Sequence, residues 1–469
     1  MNQYDIVKPM ISLTDALIVA FFLFVMLFMG LRQRCRSKDA PNYLLGGRAL
    51  TLPAFIATTV STWYGGILGV GEYAWSYGIA NWLVFGVPYY VGAILFALLL
   101  SRRARASEVL SIPHRFEQYY GKKAAICAGI LIFLTTVPGA YMLIMGTILG
   151  LSFGIGSSLG ILATALFVVI YLWRGGFNAV VRTDALQFAL MFGGFIVLSL
   201  WLLIGYGTEP LSTLPATHLE PTGGQSIGSI LIWYIIALST LAEPNFFQRA
   251  YAAKTPEIAR KGLFISVGFW IFFDAMTTLC GLYARALLPN LTTPLHAFPA
   301  LAAKVLPIGL VGLFFAGLLA TVLSTLDSNL FTTATTLGRD LWPQNFCEKV
   351  DIQSRTRISL IVGAIIASAI ALLSDSVVKI WEIFGSMSAA SLLIPILSSY
   401  YPKFRMSNRG AFILMLTGCS VTILWFIVKK VSDELIFGMR PLIAGMIAAI
   451  LCYLIDQIRI KLNANHPWV

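Results

Sequence analysis

Apolar runs dominate the chain, and thirteen of them are long enough to be membrane segments. They lie near residues 10–31, 50–75, 80–101, 123–150, 156–173, 184–206, 226–247, 262–284, 306–336, 357–374, 377–400, 410–428 and 437–458. A run of about 18–28 apolar residues crosses a hydrocarbon core as a helix. No strand-like alternation interrupts them, and in lipid the backbone must satisfy its own polar groups. The pattern therefore predicts an all-α polytopic membrane protein.

Polar residues break this pattern at three places. Segment 2 reads IATTVSTWYGGILGVGEYAW, with Thr58, Thr59, Ser61 and Thr62 at mid-span and Gly65, Gly66, Gly69 and Gly71 after them. Hydroxyls followed by helix-weak glycines predict an interrupted helix, although glycine-rich helices also serve close packing. Segment 7 reads IALSTLAEPNFFQRAY, where Pro244 removes a helical hydrogen bond directly after Glu243. Segment 9 carries GLLATVLSTLDSNLFTTATTLGRD. Thr321, Ser324, Thr325 and Ser328 fall at spacings of three and four, on one helix face, beside Asp327. Such oxygens make a poor lipid surface and a good wall for a small hard cation. They also suit close helix approach and bonding back to the helix's own carbonyls. The carboxylate favours the first reading, because it is costly at membrane depth without a partner or a task.

Composition agrees: 58% of the 469 residues are hydrophobic, 12% are charged, and mean hydropathy is +0.81. The first apolar segment spans without a small-residue cleavage site after it, so no cleavable signal is predicted, nor a soluble domain at either end. The net charge of +12 is topological. Of the 33 Lys and Arg, 26 fall in the loops after segments 1, 3, 5, 7, 9 and 11 and in the tail. The positive-inside rule then puts the N-terminus outside and the C-terminus in the cytoplasm, and excludes a nucleic-acid partner. This tally places Arg249 in a cytoplasmic loop and leaves segments 2, 4 and 7 without a mid-depth cation.

The ionisable residues at membrane depth are nearly all acidic: Glu72, Asp184, Glu243, Asp274, Asp327 and Glu382. A carboxylate-lined interior favours cations, although Asp274 and Glu382 also read as interfacial or capping residues. Six scattered cysteines (Cys35, Cys127, Cys280, Cys347, Cys419, Cys452) give neither a disulfide framework nor a metal spacing. The histidines (His114, His218, His296, His466) fall in loops or the tail. No nucleophile–base pair is readable, so the chain is not read as an enzyme.

Segments 2 and 7 lie five apart and cross in opposite directions, as two inverted five-helix repeats would place their broken helices. At these positions the chain resembles the sodium/solute symporter family. The likeness is clearest at IATTVSTWYGG (56–66), WRGGFNAVVRTDALQ (173–187), EPNFFQRAYAAKTPEIARKG (243–262) and LATVLSTLDSNLFTTATTLGRDLW (319–342). The resemblance implies a LeuT-type architecture. Residues 1–48 would form a leading helix and basic loop, 49–207 and 208–402 the two repeats, and 403–469 two peripheral helices and a tail.

The resemblance also implies residue roles. Sodium would bind between segments 2 and 9, at the carbonyls of Ala57 and Val60 and the oxygens of Thr321, Ser324 and Thr325. Whether the Thr321 hydroxyl or only its carbonyl takes part is open. Asp184 and Asp327 could form a second cation site, or Asp184 could instead cap segment 6. Thr62, Trp63, Tyr64, Thr136, Glu243 and Ser386 would touch the solute, while Phe246, Trp381 and Phe384 would gate it or simply pack. The implied activity is sodium-coupled symport of a small organic solute by alternating access, by a monomer in the cytoplasmic (inner) membrane. Sugars, amino acids, carboxylates and vitamins all remain open as the solute. The rivals are proton coupling on the same fold and a membrane solute sensor, which would need an output domain.

Overall fold

The computed structural model describes residues 9–33, 39–343, 349–374, 376–432 and 439–465. Lys8, Cys35, Cys347 and His466 lie outside the described residues. Sixteen helices matter here, in chain order: α1 (Leu13–Arg32), α2 (Leu52–Ser61), α3 (Ile67–Tyr77), α4 (Val87–Leu99), α5 (Ile112–Thr136), α6 (Gly139–Phe153), α7 (Ser157–Leu172) and α8 (Gly176–Tyr206). Then come α9 (Ile227–Ala237), α10 (Pro244–Ala252), α11 (Pro256–Leu287), α12 (Leu310–Thr335), α13 (Ile352–Leu373), α14 (Val377–Tyr400), α15 (Asn408–Ser432) and α16 (Pro441–Asn465).

Eleven helical stretches among the described residues are long and apolar enough to cross a membrane. The expected thirteen is not reached on that criterion. Segment 2 is split into the short helices α2 and α3, and segment 5 is the 16-residue α7. Both belong to the bundle all the same: α7 packs beside α6, and α2 and α3 pack against α11.

Helix α12 is the axis of the molecule. Every residue from Phe314 to Thr335 is buried, whereas α1 and α15 expose large apolar side chains along their length, as lipid-facing helices must. The start of α12 is tied to α1 by Asp15, itself buried, whose Oδ1 accepts from Gly309 N (2.7 Å) and Gly312 N (2.8 Å). A carboxylate there meets backbone donors that the helix cannot satisfy, at its positive dipole end.

The interruptions have readable causes. Residues 62–66 carry no α-helix between α2 and α3. Gly65 and Gly66 are required there by close approach. A Cβ on Gly65 would fall 2.4 Å from the Thr325 side chain, and one on Gly66 would fall 1.8 Å from the Trp381 ring. In segment 7 the helix tightens into a 3-10 turn at Leu238–Ala242, leaves helical geometry at Glu243 (ψ 113°), and restarts at Pro244. A third break falls at Val137, whose ψ of 117° is the extended backbone that Pro138 imposes on its predecessor.

Two expected boundaries move. Helix α8 begins at Gly176 rather than near residue 184, so Asp184 sits two turns inside a helix and is not its cap. Segment 7 continues through α10 to Ala252, which carries Arg249 into the core instead of a loop.

Candidate functional site

Where α2 ends, α12 and α8 meet it. Ala57, Val60, Ser61 and Thr62 come from the first; Thr321, Ser324, Thr325 and Ser328 from the second; Asp184 from the third. Ser324 Oγ donates to Asp184 Oδ1 (2.5 Å) and lies 2.9 Å from Ser61 Oγ, which donates to the Ala57 carbonyl (2.8 Å). Thr325 Oγ1 donates to the Thr62 carbonyl at 2.7 Å. Hydroxyls and main-chain carbonyls of the two helices thus already point at one another. This neutral oxygen set, with one carboxylate beside it, is the chemistry a small hard cation requires. Thr321 differs from its neighbours. Its hydroxyl donates back to the Gly317 carbonyl of its own helix (2.7 Å), whereas those of Ser324 and Thr325 donate across to other elements.

The two acidic residues have different partners. Asp184 accepts from Thr58 and Ser324, while Asp327 accepts from Tyr171 of α7. Ser328 follows Asp327 in sequence, and its hydroxyl lies 3.5 Å from Asp327 Oδ1 and 3.2 Å from Thr62 Oγ1, joining that carboxylate to the α2 side.

Between them lies the residue that the charge tally assigned to a loop. Arg249 is 1% exposed. Its Nη2 lies within hydrogen-bond reach of Ser328 Oγ (2.6 Å), Thr62 Oγ1 (2.8 Å) and Thr58 Oγ1 (3.1 Å), which share its two N–H groups, and stands 3.7 Å from Asp184 Oδ2. Its Nη1 reaches Gln248 Oε1 (3.3 Å) and Asn245 Oδ1 (3.5 Å). A buried guanidinium must have such partners, and the α2 and α12 hydroxyls supply them. The readable signal was periodicity: Asn245, Gln248 and Arg249 fall at one-turn spacing and share the inner face of α10.

Above this network is a cavity of about 230 Å³. Of the expected solute and gate residues, Thr62, Trp63, Tyr64, Thr136, Glu243, Phe246, Trp381 and Phe384 border it. Ser386 does not; it is buried elsewhere, and Gly385 and Ser388 take its place beside Trp381 and Phe384. Trp63 packs between Tyr89 (ring centroids 5.5 Å apart), Phe246 (5.1 Å) and Trp270 (5.4 Å). Glu243 Oε1 accepts from Asn245 Nδ2 (3.0 Å), which also donates to Asn329 Oδ1 (3.1 Å), joining the second break to α12. Asp274 corrects its expected place as well. It lies in mid-helix on α11, 4% exposed, accepts from Tyr90, and borders the cavity.

The comparisons with known proteins agree in kind. The family model described as sodium:solute symporter family matches residues 43–418. The osmoregulated proline transporter OpuE of Bacillus subtilis is 25% identical over 472 residues, with 94% of each chain covered. The sodium/pantothenate symporter of Haemophilus influenzae is 26% identical, covering 95% of this chain and 96% of the relative. Among solved structures, a substrate-bound outward-open Na+-coupled sialic acid symporter superposes with a TM-score of 0.77 at 18% identity, over 95% of this chain and 97% of that one. Mhp1, a nucleobase-cation-symport-1 family transporter, does so at 0.59 and 13% identity, over 91% of this chain and 97% of that one.

Proposed function

The chain belongs to the sodium:solute symporter family, and on that premise we propose how its residues divide the work of sodium-coupled uptake. It is a multi-span transporter, not an enzyme, and sodium is its coupling ion. The Ala57, Val60 and Thr321 carbonyls and the Ser324 and Thr325 hydroxyls receive Na+ at the end of α2. The solute occupies the adjoining cavity beneath Trp381 and Phe384, with Phe246 at its wall. Residues 49–207 and 208–402 act as inverted repeats that rock about this site, with the N-terminus outside and the C-terminus in the cytoplasm.

One observation carries the reading. Thr62 and Thr325, joined by a 2.7 Å bond across the α2–α12 junction, both border the solute cavity, and Thr325 belongs to the oxygen set for the ion. An ion that draws these two residues together shapes the wall that the solute meets. Each ligand then favours the arrangement the other needs, which is a reciprocal coupling free energy. Asp184 stands one bond from Ser324, so it stabilises positive charge there whether it contacts Na+ or not.

The test is thermal unfolding of the purified protein in NaCl, KCl and CsCl at constant ionic strength. A ligand of the folded state raises stability as its concentration passes its dissociation constant. A saturable shift in Na+ alone is expected. In Ser324→Ala/Thr325→Ala its midpoint should move to at least about tenfold higher Na+, or about 1.4 kcal/mol of binding free energy. An unchanged midpoint in the double variant would move the ion elsewhere. No difference among the three salts would favour proton coupling.

A further inference from the structure

Resting on the symporter reading, we propose that the solute is an organic cation, its ammonium group seated against Glu243 among the aromatic rings of the cavity. The argument begins with charge. Three ionisable side chains other than tyrosine border the cavity: Glu243, Arg249 and Asp274. Arg249 is already paired with Asp184, and both of its amino groups are held by Thr58, Thr62, Ser328, Asn245 and Gln248. Its Nε is buried without a partner among the described residues, but its charge is paired with Asp184, and the cavity lining carries two carboxylates, Glu243 and Asp274, against this single guanidinium. A buried carboxylate is costly until a positive charge meets it. An anionic solute would add to that cost; a cationic one relieves it.

The walls select the kind of cation. Nine of the residues bordering the cavity are aromatic, among them Trp63, Tyr89, Tyr141, Trp233, Trp381 and Phe384. Trp63 and Tyr89 meet at 67° and Tyr141 and Trp381 at 49°, so the bordering rings lie in several planes and their faces are not all turned the same way. Faces of this kind attract alkylammonium groups, as aromatic cages do, and give nothing comparable to a carboxylate. The volume of about 230 Å³ suits a compact solute. Thr59 Oγ1 and Thr240 Oγ1, on opposite broken helices at the cavity's edge, are buried without a partner among the described residues. They supply hydrogen bonds for a hydroxyl or amine on the same solute.

Glu243 rather than Asp274 takes the charge. Tyr90, which donates to Asp274, itself accepts from Trp82 Nε1 (3.0 Å), so Asp274 ends a fixed relay. Glu243 stands at the helix break and, among the described residues, accepts through Oε1 alone, from the N and Nδ2 of Asn245.

The experiment uses the full chain in lipid nanodiscs and reads thermal unfolding in NaCl and in KCl. The probes are choline, n-butylammonium, 3,3-dimethylbutan-1-ol (the uncharged isostere of choline), glucose and pantothenate. A shift by one or both cations in NaCl, absent with the isostere, glucose and pantothenate, is the expected result. Glu243→Gln keeps an oxygen to accept from Asn245, so the break should fold. It should raise the half-saturating concentration of the effective cation at least tenfold while leaving the shift by Na+ alone. Equal shifts by choline and its isostere, a shift by pantothenate alone, or a cation response indifferent to Glu243→Gln would each overturn the proposal. So would a sodium shift with no response to either cation, which leaves the symporter reading standing. A cation shift equally large in KCl would support the cation site and remove sodium coupling instead.

Discussion

The two broken helices do the same architectural job with opposite chemistry. At the first break, between α2 and α3, the side chains facing α12 are hydroxyls and the polar work falls to neutral oxygens. At the second, between α9 and α10, the sequence installs a carboxylate at the break and a guanidinium within the next two turns. Neutral carbonyls and hydroxyls can replace the water around a small ion without trapping it. Full charges fix an arrangement until something of matching charge competes. The molecule therefore keeps its adaptable oxygens at one break and its committed charges at the other, and Thr58 and Thr62 receive Arg249 where the two meet.

The largest effect should come from taking the charge out of that meeting point. Arg249→Ala leaves Asp184 buried beside Thr58 and Ser324 without its cation. Removing one partner of a buried pair costs about 3–5 kcal/mol. We expect a strongly lowered unfolding temperature and lost uptake, with Arg249→Ala/Asp184→Asn recovering part of the stability. If the first break alone held the junction together, the single variant would unfold near the wild-type temperature.

A second variant tests whether the first break depends on closeness as the second depends on charge. In Gly66→Ala the new methyl would overlap the rigid ring of Trp381, so the ring or the backbone must move. Overpacking of this kind costs about 1–3 kcal/mol. The expected result is a moderate loss of stability, with solute affinity reduced more than sodium affinity because Trp381 borders the cavity. Equal losses for ion and solute would mean that the contact shapes both sites alike.

The same contrast explains what could be read from the sequence. Neutral features announce themselves locally. TTVST before WYGG, and Thr321, Ser324, Thr325 and Ser328 at helical spacing, are visible without knowing any partner. The structure brings Ser61, Thr62, Ser324, Thr325 and Ser328 among them to one junction. Charged features depended on partners far away in the chain. Asp184 was open to a capping role because the start of α8 hides in GGFNAVVR, and Asp274 because Tyr90 lies 184 residues off. Arg249 was lost to a rule that treats each cation near a segment end as a loop residue. Its inward face was legible only once α10 was known to continue past Phe247. Ser386 failed for a smaller reason. The cavity face of α14 runs through Trp381, Phe384, Gly385 and Ser388, and at 3.6 residues per turn Ser386 is carried to the far side.

The smallest effect belongs to the hydroxyl that looks like a ligand but bonds at home. Thr321 shares the face of Ser324 and Thr325, yet its Oγ1 donates to Gly317 of the same helix while theirs cross to other helices. Replacement by alanine removes a bond that α12 can do without and keeps the carbonyl assigned to Na+. The sodium midpoint in Thr321→Ala should therefore stay within about twofold of wild type, under 0.5 kcal/mol. The same titration on Ser324→Ala alone should move it further, since that change also strips a donor from Asp184. If the two single variants shifted the midpoint alike, the line between home-bonded and cross-helix hydroxyls on α12 would be the wrong one. The ion would then be held by the whole face of the helix and not by the oxygens that meet α2.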